Sequence, residues 1–276
     1  MGDKGQEKPY TGWSSSPPRM FERLTREAER STETRHRLNG PMLAGAATLS
    51  LAGSLALAGC QSINGYTKSS LVRAIDASYN APALNIYVEG TLLAANLGQG
   101  SITSYGGFGP SRNATVKVTA TTNTNGLVTS NATLVASQAQ SVLITDYNAQ
   151  YTVTVLDDQS TPAPSGHSDF RLINEAPSTG AVDVYFLSGT SETVFATAKP
   201  VITDLAVGAI SGYVSIPSST LFMVIAPAGT TLSTTATTIY SSGALPLTGG
   251  EVRTVLVVDP VLVTQPVQVY IAKDVD

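Results

Sequence analysis

The chain has 276 residues, of which 42% are hydrophobic and only 13% charged, with a formal net charge of −4 and one cysteine. The charged share is about half that of an ordinary soluble domain, so hydroxyl and amide side chains must keep the surface wet. Residues 1–41 hold eight Lys/Arg and six Asp/Glu, and the remainder eight and fourteen. That leaves no basic stripe for nucleic-acid binding, because phosphate contacts need clustered Lys and Arg.

The first forty residues are polar, contain prolines and are long for the leading region of a signal, and Met20 is a serviceable alternative start to Met1. Arg35 and Arg37 then precede an uncharged run over residues 41–59, which ends in Leu57, Ala58, Gly59 and Cys60. A basic segment, an apolar segment and small residues before a cleavage point are the order of a secretory signal. A membrane span fits less well: the run is short, is diluted by Gly45, Ser50 and Gly53, and lacks a cationic flank after it.

Leu-Ala-Gly-Cys also resembles the lipobox of bacterial lipoproteins. The resemblance implies that Cys60 carries the lipid, that residues 1–59 are removed, and that Gln61 in the next position directs the protein to the outer membrane of the cell envelope. Several acyl chains on one residue make such attachment lasting, where a single chain holds only marginally. With no other cysteine, the mature part has neither a disulfide nor a thiolate metal site.

A tether over residues 60–69 leads into a pattern that occurs twice. The segment from Val72 aligns with that from Phe170, pairing Arg73 with Arg171, Ile75 with Ile173, Asp76 with Asn174 and Tyr87 with Tyr185, at an offset of 98. "LGQGSITSY" from Leu97 matches "LAVGAISGY" from Leu205, and "SVLITD" from Ser141 matches "TVLVVD" from Thr254, at offsets of 108 and 113. Ordered blocks with growing offsets mean a tandem duplication. The second copy has gained ten residues between Tyr185 and Leu205 and five more later.

Within each copy the hydrophobic period is two. Leu84, Ile86 and Val88 alternate with Asn85, Tyr87 and Glu89; Val182, Val184 and Phe186 with Asp183, Tyr185 and Leu187; and Tyr151, Val153 and Val155 with Thr152 and Thr154. These predict half-buried strands, and further strands are predicted around Val116, over 221–226, over 252–258 and over 267–271, punctuated by Gly- and Asn-containing turns. The expected fold is all-β: two tandem immunoglobulin-like antiparallel β-sandwich domains, over 70–158 and 169–276. The polar, Pro-containing stretch 157–169 supplies a flexible linker, centred on 159–168.

The blocks "VRAIDASYNAPALNIYVEG", "GYVSIPSSTLFMVIAPAGT" and "VLVVD" resemble the bacterial extracytoplasmic family of domain of unknown function 4397, over residues 71–276. The resemblance implies secretion, a β-sandwich and tandem copies, and no reaction. Asp76 and Asn174 stand where many members carry histidine.

Few residues offer chemistry. His167, Ser168 and Asp169 are consecutive, whereas a catalytic triad needs groups converging from a rigid scaffold beside an oxyanion hole. One histidine after Cys60 is too few for a zinc site, and Asp157 with Asp158 lacks the twelve-residue loop of a calcium hand, which leaves them in a solvated turn. No cofactor is expected, because the glycines lie between strands with no helix following. For an enzyme, Asp146 and Asp259 at matching strand ends are the repeated candidates.

Arg73 and Arg171 read as braces of each first strand, and Tyr87 and Tyr185 fall on the polar face of theirs, as cross-strand partners or as stacking surfaces. The resulting expectation is a non-catalytic module for binding, adhesion or scaffolding. It is held to the membrane by its lipid and partnered by a cell-surface protein or polysaccharide. A carbohydrate-binding accessory module is the alternative, and a hydrolase is the enzymatic one. Mass spectrometry of the mature protein should find an amino-terminal lipidated Cys60; a recovered chain beginning at Met1 or Met20 with a free thiol contradicts this.

Overall fold

Alternating side chains along a strand suit one buried face, while an unbroken apolar run suits a strand covered on both. The chain uses both kinds, and the difference sets its architecture. The computed structural model describes residues 68–79, 81–146, 150–234, 238–260 and 266–275. Cys60 and everything before it lie outside the described residues.

The first copy runs β1 (Ser70–Asp76), β2 (Leu84–Val88), β3 (Thr91–Leu97), β4 (Gly106–Phe108), β5 (Ser111–Ala120), β6 (Asn123–Leu134), β7 (Ala139–Thr145) and β8 (Thr152–Asp157). One sheet is ordered β4-β1-β7-β8 and the other β3-β2-β5-β6. Their inner faces meet through Val72 and Ala74 of β1, Leu84, Ile86 and Val88 of β2, Val116 and Val118 of β5, and Val142 and Ile144 of β7. The second copy runs β9 (His167–Glu175), β10 (Val182–Leu187), α1 (Glu192–Ala196), β11 (Ile202–Leu205), β12 (Ala209–Ile210), β13 (Val214–Pro217), β14 (Thr220–Pro227), β15 (Tyr240–Pro246), β16 (Val252–Val258) and β17 (Gln268–Val275). Its sheets are β12-β9-β16-β17, with β13 also on β9, and β11-β10-β14-β15.

Each copy is therefore an immunoglobulin-like sandwich of two sheets. One departure from the expected antiparallel pairing recurs in both: β1 pairs β7, and β9 pairs β16, in parallel. A parallel neighbour requires a long crossover. Here the whole opposite sheet supplies it, since β2 to β6 intervene between β1 and β7.

The two sandwiches stack back to back. Ile75 and Ala77 beside β7's Leu143 form one apolar cluster with Ile173, Leu256 and Val258 of the second copy. The order of layers is thus β2's sheet, β1's sheet, β9's sheet, β10's sheet. This is why β1, β7, β9 and β16 are buried on both faces whereas β2 and β5 alternate. Gln61–Asp276 accordingly forms one compact unit.

Two expectations are corrected by this packing. The stretch expected to be a flexible linker is docked: Asp158 and Ala163 are buried, the Ala163 amide donates to Gly250 O at 3.0 Å, and Ser160 Oγ accepts the Ala139 amide at 2.9 Å. Its few apolar and acidic side chains each find a prepared partner, which composition alone does not reveal. Tyr185, expected on a polar face, is 4% exposed. The ten added residues of the second copy contain α1, and its Phe195 covers the outer face of β10 together with Leu187, Val224 and Leu232.

Among the described residues, no helix is long and apolar enough to cross a membrane. Limited proteolysis of the native protein should leave 157–169 intact, because cleavage needs that backbone to leave its partners. Early cleavage there, giving two resistant fragments by mass spectrometry, would separate the copies as independent units.

Candidate functional site

The centre of the interface between the copies is ionic. Arg73 on β1 and Arg171 on β9 occupy matching positions, and each reaches across to the carboxylate of the other copy. Arg73 Nη2 donates to Asp274 Oδ1 at 2.6 Å, and Arg171 Nη2 to Asp158 Oδ1 at 2.6 Å. The remaining partners also match. Arg73 Nη1 donates to Lys273 O and Arg171 Nη1 to Asp157 O, while Tyr105 and Tyr213 donate their hydroxyls to Asp158 and Asp274 at 2.6 and 2.7 Å. Each guanidinium lies over the tyrosine ring of its own copy, at 4.8 and 4.9 Å.

Ser141 and Thr254, at corresponding places on β7 and β16, complete the network. Both carboxylates and Arg73 have side chains that are at most 1% exposed. Burial works against the Arg73 charge, but Asp274 and Asp158 outweigh it and raise its pKa. Both tyrosines are pushed upward, chiefly by burial, and donate as neutral phenols. Removing one member of such a buried pair costs about 3–5 kcal/mol, since the other is left charged and unpaired. The repeated arginines and tyrosines of the interface thus bind the two copies together.

The other candidates are also bonded internally. Asp259 accepts the amide and hydroxyl of Ser178 at 3.0 and 2.8 Å, and Asp146 accepts the Tyr79 amide at 2.6 Å. Both carboxylates hold the loop that follows the first strand of their copy. Ser168 Oγ donates to Thr248 O, Asp169 accepts from Gln159, and the His167 ring faces Ser165 O, so these three neighbours diverge as successive strand residues do. Asp158 is not in a solvated turn but buried in the network. Asp157 accepts from Gln140 at 2.9 Å. Among the described residues no three His, Cys, Asp or Glu side chains gather as metal ligands.

Tyr87 is half-buried on β2, and Tyr185 bonds through its hydroxyl to Thr230 O at 3.3 Å. A pairing that the alignment does show also carries structure. Asn85 and Asp183, at equivalent places, accept the amides of Asn96 and Asp204, whose φ angles are 53° and 50°. Asn and Asp tolerate that left-handed conformation better than other residues with a side chain.

Open space lies at the edge of the interface. A groove of about 340 Å³ is bounded by Leu143 on β7, Thr152 and Thr154 on β8, Glu175 at the end of β9, and Gly208 and Ile210 of the second copy. Burial, and then the Asp146 charge, push the Glu175 carboxyl up to about 7. No single motif announces this groove in the sequence, because its walls come from four separated segments.

Reciprocal buried ion pairs join the two sandwiches into one β module. Residues 70–185 match the model of the family described as Domain of unknown function (DUF4397), which supports the family indicated by the repeated blocks. No curated protein matches. Among solved structures, the chain is similar to family 41 carbohydrate-binding modules of streptococcal virulence factors, described for alpha-glucan recognition, at 14% identity over 73% of this chain and 97% of that one, with a TM-score of 0.24. It is also similar to a candidate cell adhesion protein from Bacteroides eggerthii, at 11% identity over 76% and 97%, with a TM-score of 0.24.

The duplication itself supplies a test of one buried charge. Asp76 is fully buried, its Oδ1 accepts from Ser78, and its Oδ2 has no partner. Burial raises its carboxyl from 3.8 to about 6. In the second copy the same place holds Asn174, whose amide donates to Gly180 O and Leu205 O at 3.0 and 2.9 Å. Because the folded state keeps the Asp76 proton to a higher pH than the unfolded chain, stability falls as pH rises from about 4 to about 6 and is then level. Asp76→Asn should remove this contribution to the fall and stabilise the protein at pH 7 by about 1–3 kcal/mol, read from urea unfolding at several pH values.

Proposed function

We propose that the protein is a non-catalytic bridging module of the bacterial envelope, anchored in the outer membrane through lipid on Cys60. The carrying observation is the back-to-back stacking. It turns the outer sheets, β3-β2-β5-β6 and β11-β10-β14-β15, in opposite directions. Surfaces facing away from one another, one of them overlaid by α1, suit contact with two partners, one on each side, more than two contacts to one partner.

The distribution of charge supports the same reading. Arg73, Arg171, Asp158 and Asp274 neutralise each other in the interior, and Asp146 and Asp259 hold loops. The side chains named as catalytic candidates by their repetition, Asp146 and Asp259, are thereby committed to structure. A cell-surface protein is favoured over a polysaccharide as partner. Stacking on sugars needs several exposed aromatic faces, and the repeated tyrosine of β10 lies beneath α1.

The test uses residues 61–276 with surface proteins and envelope polysaccharides immobilised on two distinguishable kinds of bead. Saturable binding to protein-coated beads, joining of the two kinds and no turnover of hydrolase substrates are the expected results. Reproducible turnover abolished by Asp146→Asn or Asp259→Asn would overturn the non-catalytic reading.

A further inference from the structure

The interface between the copies has two corners related by the internal duplication, and the corners are not equal. Gly100 and Gly208 correspond: their amides donate to Asp76 O and Asn174 O at 2.7 Å, and their φ angles are 77° and 76°. Leu143 and Leu256 also correspond, the first paired with Thr154 on β8 and the second with Tyr270 on β17. Thr154 therefore stands where the second copy has a tyrosine.

At the first corner the Tyr270 ring lies directly on Gly100. A β-carbon on that glycine would fall 2.0 Å from Cε2 and 2.2 Å from Cζ of the ring, so only glycine admits it. The ring joins the apolar cluster of Ile102, Leu256 and Ala77, and its hydroxyl donates to Gln268 at 2.9 Å. At the second corner a β-carbon on Gly208 would meet nothing within 4 Å. The groove of about 340 Å³ opens at this corner, with Thr154, Gly208, Leu143 and Ile210 among its walls.

We propose that this groove receives a phenolic ring, seated on Gly208 as Tyr270 is seated on Gly100. The ring belongs either to a free aromatic molecule or to a tyrosine side chain of a partner. Leu143 and Ile210 supply apolar walls, matching Leu256 and Ile102 at the filled corner. The polar end is changed in a way that suits a hydroxyl arriving from outside: Thr152 stands at the place of Gln268, and Glu175 at the place of Ala77. A sugar finds no aromatic platform among these walls. The inference goes beyond the bridging function and does not depend on it, since it concerns an edge of the internal interface and not the outer sheets.

The experiment is an NMR titration of residues 61–276, methyl-labelled, with N-acetyl-L-tyrosinamide, a five-residue peptide with central tyrosine, N-acetyl-L-leucinamide and maltose. Saturable shifts of the Leu143 and Ile210 methyls with the two phenolic probes, absent with the other two, are expected. A peptide that binds tighter than the amide identifies a partner's tyrosine as the source; equal affinities identify a free aromatic molecule. Thr154→Tyr, which installs the missing ring, should weaken phenolic binding at least tenfold without lowering Tm. Tyr270→Thr should open the matching corner and raise the stoichiometry from one to two. Phenolic binding untouched by Thr154→Tyr, shifts confined to other residues, equal binding of maltose, or no saturation would overturn the proposal. The methyl shifts in the unsubstituted chain decide the matter even if a variant fails to fold.

Discussion

Arginine is the residue least able to shed its charge in a protein interior, and two of them lie at the centre of this one. The carboxylates, hydroxyls and carbonyls around them pair those charges. Each guanidinium takes its closest carboxylate from the opposite copy and its ring from its own, so the ionic partners join the copies while the tyrosines orient the arginines. The sandwiches cannot slide past one another without breaking both crossed pairs together. Apolar packing of Ile75, Leu143, Ile173 and Leu256 adds area, but non-directional contacts alone would not select this register.

The constraint reaches into strand composition. β1 and β9 carry an arginine between apolar residues, Val72 and Ala74 in one and Phe170 and Leu172 in the other, because one face meets their own core and the other meets the opposite copy. β7 and β16 carry the apolar runs 142–144 and 255–258 for the same reason, each preceded by the hydroxyl partner of the network, Ser141 or Thr254.

Much of this was legible in the sequence. The period-two pattern of Leu84, Ile86 and Val88 gave its strand directly, and the first and last of the repeated blocks fall on strands at matching places in the two sandwiches, β1 with β9 and β7 with β16. The matched residues within those blocks, Arg73 with Arg171, Ile75 with Ile173, Gly100 with Gly208 and Tyr105 with Tyr213, prove to be interface residues. Similarity between copies cannot say whether a shared residue serves each copy separately or both together, which is why the copies were expected as units on a flexible tether. Asp158 was the particular obstacle: in a run of Asp, Gln, Ser, Thr and Pro, nothing local marks one carboxylate as the partner of an arginine thirteen positions later. Tyr185 was misplaced for a simpler reason, since α1 arises from an insertion with no counterpart in the first copy. The groove escaped because its signal is a difference, Thr154 against Tyr270, in a part of the repeat where the copies do not align by eye.

The crossed pairing has a consequence for how such chains can be assembled. A surface that meets its own kind about a two-fold axis is used up by a single partner. A third copy appended to this chain would find both arginine faces already occupied, and would bring an arginine and an aspartate of its own with no counterpart. A chain lengthened through this joint alone would grow by whole couples, so growth in this architecture would count in twos.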